Sequence, residues 1–75
     1  MRLKGIVNIT YRFAGDATEP APVTGVTDFR SYSEDGVYEL CWEDPATGLD
    51  TCVGGVSRYT AVQTAAGRRR DDDDD

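Results

Sequence analysis

Histidine is absent from all 75 residues of this chain. With it go the commonest general base at neutral pH and the commonest metal ligand, which excludes Ser-His and Cys-His nucleophilic mechanisms and most zinc hydrolase chemistry. The two cysteines cannot fill a four-ligand zinc site unless a second subunit contributes the remainder. Ten residues separate them, so they do not form the close Cys pair of a thioredoxin-type redox centre either. No apolar run approaches the roughly 18 residues that would cross a membrane as a helix. Glycine-rich phosphate loops are missing as well, since Gly54-Gly55 lacks both the lysine and the strand-to-helix setting such a loop needs. The carboxylates that remain include Glu39 and Glu43 on one face of one expected strand, with no cleft between them for a glycosidase-like pair. A non-enzyme without cofactor or metal is the expectation.

A chain of this length forms one domain at most and buries only about 60 to 65% of the surface its unfolded form exposes, so its stability margin is thin. Its formal charge is −6, from 14 acidic and 8 basic residues, with a pI near 4.4. That balance disfavours nucleic acid and anionic lipid as partners and favours a basic protein or self-association. Seven of the eight basic residues are arginine, and aspartate outnumbers glutamate ten to four. Adaptation to molar salt and a GC-rich genome both give this composition. The opening MRLKGIVNITYRF has basic residues ahead of apolar ones, but polar residues interrupt it and no small-residue cleavage site follows. The expectation is a cytoplasmic protein, or part of a released assembly, without a signal peptide.

Period-two alternation from Arg2 to Phe13 sets Leu3, Val7, Ile9, Tyr11 and Phe13 on one face and predicts a half-buried strand. Pro20 and Pro22 remove backbone donors, so residues 14 to 22 are expected to form a surface loop long enough that strand one need not pair with strand two. A second strand is expected from Val23 to Tyr32, a third from Val37 to Glu43, and a fourth from Asp50 to Gln63, with a bend at Gly54-Gly55. Between strands two and three, a two-residue Asp35-Gly36 loop would oppose Asp28 and Glu43. A four-residue loop, Ser33 to Gly36, instead opposes Arg30 to Glu39 and Phe29 to Leu40, and cross-strand charge favours it. A turn or two of helix over Tyr59 to Ala66 is the one helical remnant. The fold class expected is mainly β, a four-stranded antiparallel sheet curled into a small open barrel, SH3-like or OB-like in general shape. Residues 1 to 66 form this domain, and residues 67 to 75 a charged flexible tail.

With Asp44 to Leu49 as the loop, Cys41 falls directly opposite Cys52, Leu40 opposite Val53 and Trp42 opposite Thr51. Directly opposed cysteines are close enough for a disulfide, and equally ordinary as paired core thiols. A reducing compartment would leave thiols, an oxidising one a bond, and the expected location favours thiols. Phe29, Tyr32, Tyr38, Trp42 and Tyr59 are enough aromatics for a base-stacking platform, but residues 1 to 67 hold five basic against nine acidic residues, so core packing is the expectation.

The end of the chain, AAGRRRDDDDD, cannot bury apolar surface, and its expected state is disordered. Arg68, Arg69, Arg70, Asp71, Asp72, Asp73, Asp74 and Asp75 form a candidate arm for contacting a neighbouring subunit. Together these features predict a non-catalytic structural or adaptor module that acts by protein association, as in a small repeated subunit of a virion. The alternatives are an acidic inhibitor imitating nucleic acid and a small nucleic-acid-binding barrel.

Overall fold

β1 (Arg2–Phe13), β2 (Val23–Glu34), β3 (Val37–Asp44) and β4 (Leu49–Gln63) make up the computed structural model, which describes residues 1–64. The fold is mainly β, four antiparallel strands forming a small barrel, and its strand limits lie within two residues of the expected ones. Tyr59 to Gln63 is strand rather than helix, because β1 offers that stretch a full set of cross-strand partners. The tail assignments fall outside the described residues.

The barrel is closed, not open. β1 pairs with β2 through its first half, Arg2 to Ile9, and with β4 through its second, Val7 to Phe13. β4 does the same in reverse, meeting β3 up to Val56 and β1 from Val56 onward. Splitting a strand between two neighbours lets four strands circle a core, provided the chain coils sharply. Register shifts at all four interfaces supply the coiling, and Gly5, Gly25, Asp28 and Gly55 sit at them with positive φ. Gly55, at φ 69°, is the expected corner; its carbonyl also accepts from the Ala14 amide at 2.8 Å, tying the β1 end to the bend. The long 14 to 22 loop does not prevent β1 from pairing with β2. Its length spans the offset between the end of β1 and Val23, which lies opposite Ile9.

The β2–β3 register corrects the four-residue loop. Glu34 pairs with Val37, leaving the two-residue Asp35-Gly36 turn, with φ of 53° and 83° at the two positions. Two positive φ values in succession are the mark of a type I′ turn, whose twist matches the flanking strands. The Asp28–Glu43 clash that argued against it does not arise. Asp28 and Phe29 bulge opposite Trp42, so Thr27 faces Glu43, and Arg30 faces Cys41. Gly36→Ala should therefore cost about 1–2 kcal/mol, the penalty for an L residue held left-handed, read as a lower midpoint in urea denaturation; no strain is expected from space, since nothing lies near the missing Cβ.

Inside, Val7, Ile9, Phe29, Leu40 and Val56 are fully buried, and Tyr11, Val26 and Trp42 nearly so. Tyr59 is the aromatic hinge of this core: its ring lies 5.1 Å from Tyr38 and 5.9 Å from Phe29, and its hydroxyl shares a 2.8 Å hydrogen bond with the buried Ser31 hydroxyl. That bond satisfies the hydroxyl of the buried Ser31.

Candidate association surface

Two patches on the outside of the barrel gather the chemistry-bearing residues. The first lies on β2, β3 and β4. Arg30 reaches across the sheet, donating from Nη2 to Asp50 Oδ1 at 2.9 Å and from Nε to the Asp28 carbonyl at 3.0 Å. Arg2 donates from Nη2 and Nε to Asp28 Oδ1 at 2.7 and 3.1 Å. Asp28 earns its unusual φ of 56° here, because the bulge turns its carboxylate toward both arginines. Partial desolvation opposes the Arg30 charge, but the Asp50 bond and the Asp50 and Asp28 charges outweigh it and hold the guanidinium above its ordinary pKa.

Cys41 lies between Arg30 on β2 and Cys52 on β4; the Cys52 pairing is the expected one, while the Arg30 pairing replaces the expected Arg30–Glu39 pair. The two sulfurs are joined as a disulfide between directly opposed residues, with Cα atoms 4.1 Å apart. The expectation of paired thiols had rested on compartment alone; at this separation, opposed Cβ atoms leave the sulfurs within bonding reach. Cys41 is buried and Cys52 exposed, so the bond runs from beneath the surface to solvent. A Glu39 carboxylate oxygen and both sulfurs lie within 4.8 Å of one another. Joined sulfurs offer no thiolate, so this trio is not a metal site while the bond is intact.

The second patch is the outer face where β1 meets β4. Asn8 lies opposite Val62, Thr10 opposite Thr60, and Arg12 opposite Arg58. The two threonine hydroxyls hydrogen-bond each other, and Asn8 Oδ1 accepts the Gly25 amide at 3.0 Å. Like charges directly opposed destabilise a sheet. Yet Arg12 and Arg58 face each other with no ion pair among the described residues, and Arg12 Nε is buried without a hydrogen-bond partner. A groove of about 330 Å³ runs beside them, lined by Thr10, Glu19, Arg58, Tyr59 and Thr60. In the β1–β2 loop, Asp16 Oδ1 accepts from the Thr18 amide and hydroxyl at 3.1 and 2.9 Å; these bonds, with the Arg12 charge, hold its carboxyl below the usual aspartate range. The face thus runs from exposed Val62 through paired hydroxyls to two cations, without a strand carboxylate along it.

No family model, curated protein or solved structure matches this chain. Of the aromatics that were candidates for base stacking, Phe29 and Trp42 are core and Tyr38 and Tyr59 pack against it, leaving only Tyr32 exposed. One outward ring makes no platform. The arm Arg68 to Asp75 lies outside the described residues. The Arg12–Arg58 pair was not legible from sequence, because it depends on the β1–β4 register, which no turn signal sets.

The same register leaves an open edge. β3 covers one side of β4 only as far as Val56, while β1 covers the other side from Val56 to Gln63. Beyond Val56, no strand lies on the β3 side of β4 among the described residues.

Proposed function

We propose that this chain is a non-catalytic structural or adaptor module that works by protein–protein association, as a small repeated subunit of a larger assembly of the virion kind. The observation that carries this reading is the β4 stretch after Val56: an open strand edge, one of the half-strands left with a single neighbour, beside exposed Val62 and the Arg12–Arg58 cations, which have no ion pair among the described residues. Small barrels ordinarily remove or block their edges, because exposed backbone donors and acceptors invite another chain. A cationic strip on a chain of net charge −6 also gives association a direction, since it is where acidic copies meet without opposed carboxylates.

The acidic-mimic reading has less support. Asp28 and Asp50 are tied to Arg2 and Arg30, and Glu34, Asp35 and Asp44 sit at hairpin ends rather than on one face. Light scattering of the full chain across concentration, in low and molar salt, should give a mass above the 8.2 kDa of one copy. A single-copy mass at every concentration, in a chain that also copurifies with no protein, would remove the reading.

A further inference from the structure

Resting on that reading, we propose that the open edge of β4 pairs with the same edge of a second copy, antiparallel about Thr60, to join two barrels through a continuous sheet. Four observations meet at this segment. Among the described residues it has no strand partner on its β3 side. It contains few of the devices that protect an edge: there is no proline from Arg58 to Gln63, no register shift after Ser57, and a single charge, Arg58. Val62 is a large apolar side chain that stands 61% exposed. The segment is also complementary to itself. With Thr60 on the two-fold axis, Tyr59 meets Ala61 of the second copy and Arg58 meets its Val62, so that the aliphatic stem of arginine covers the exposed valine. No like-charge pair arises in this register.

Charge favours this edge over the open half-strands that carry a carboxylate, Leu49 to Val53 with Asp50 and Tyr32 to Glu34 with Glu34. Residues 1 to 64 hold nine acidic and five basic residues, so most approaches between copies oppose carboxylates. The Arg58 to Gln63 stretch carries a positive charge only. An isologous contact of this kind closes on itself as a dimer and removes the exposed edge of both copies at once.

The test is sedimentation of the full chain over a range of concentrations, for the parent, Val62→Lys and Val62→Glu. Both substitutions are at an exposed position, and far-UV circular dichroism checks that each variant keeps the barrel. In the dimer a lysine at 62 opposes Arg58 of the second copy twice, and a glutamate there pairs with it twice. Cross-strand pairs of like and opposite charge should therefore loosen the dimer about two- to thirtyfold with lysine and tighten it by a similar factor with glutamate. The gap between the variants should narrow in molar salt. Amide exchange of Arg58 to Val62 should slow as concentration rises. A dimer whose dissociation constant ignores both substitutions overturns the edge inference while leaving association standing. A monomer that binds a different protein does likewise, and a monomer that binds nothing overturns both.

Discussion

Phe29→Ala should leave most of the chain unfolded at room temperature. Phe29 is fully buried, packs its ring 5.9 Å from Tyr59, and lies opposite Leu3 on β1. Removing a buried phenylalanine ring costs about 3–5 kcal/mol, because the lost burial and the unfilled space add. A domain this small has a total stability of only about 3–5 kcal/mol from its core. The two figures are of the same size, so a single truncation is enough. Phe29 matters beyond its volume, since it reaches the core only because Asp28 and Phe29 bulge together against Trp42. Phe29→Leu, which keeps most of the volume, should fold with a lower urea midpoint. The pair of variants is measured by urea denaturation and near-UV circular dichroism. A loss below about 1 kcal/mol for Phe29→Ala would show that the bulge does not hold this ring inside.

The same bulge marks the limit of what the sequence could reveal. β1 was legible because alternation alone decides which face is buried, and Val7, Ile9 and Tyr11 are indeed inside. The β3–β4 register was legible because Pro45 and Gly48 confine the turn: Gly48 donates its amide to the Asp44 carbonyl at 2.7 Å, and Asp44 Oδ1 accepts the Ala46 amide at 3.0 Å. Gly54-Gly55 announced the corner for the same kind of reason, a residue type tied to a backbone shape. The β2–β3 register was misread because charge pairing was counted along an unbroken ladder. A bulge at a non-glycine residue, Asp28, resets that ladder midway, and nothing local to the sequence signals an aspartate in the left-handed region when the arginines that hold it are 26 residues away and two residues on. Closure and the open β4 edge were hidden for a related reason. Both depend on where β3 begins relative to the bend in β4, which is a property of two distant segments together.

Reduction of the Cys41–Cys52 bond should remove about 3 kcal/mol of stability, the second large effect expected of this chain. The linked residues are 11 apart in sequence, and closing a loop of that size in the unfolded chain accounts for roughly this amount by the chain-entropy relation. Two features of the hairpin bear on the figure. The Asp44–Gly48 turn is held by its own hydrogen bonds, which favour partial closure of the unfolded hairpin even without the disulfide and so bring the expected loss toward 2 kcal/mol. Cys41 is buried, and a buried thiol packs as a small apolar side chain, so reduction adds no large polar penalty to the chain-entropy loss. The exposed sulfur determines how reduction begins. A reductant thiolate attacks Cys52 Sγ, forming a mixed disulfide there and releasing the Cys41 thiolate; a second thiolate then displaces Cys52 and completes the exchange. Urea denaturation with and without excess reductant measures the difference directly, and Cys41→Ala with Cys52→Ala separates loss of the bond from the chemistry of the thiols. Equal midpoints in both conditions would mean that the barrel core alone holds the hairpin. A shift of the expected size, set against a total of about 3–5 kcal/mol for so small a core, would make the folded population of this chain depend on the redox state of its surroundings, through a bond whose reactive sulfur already faces solvent.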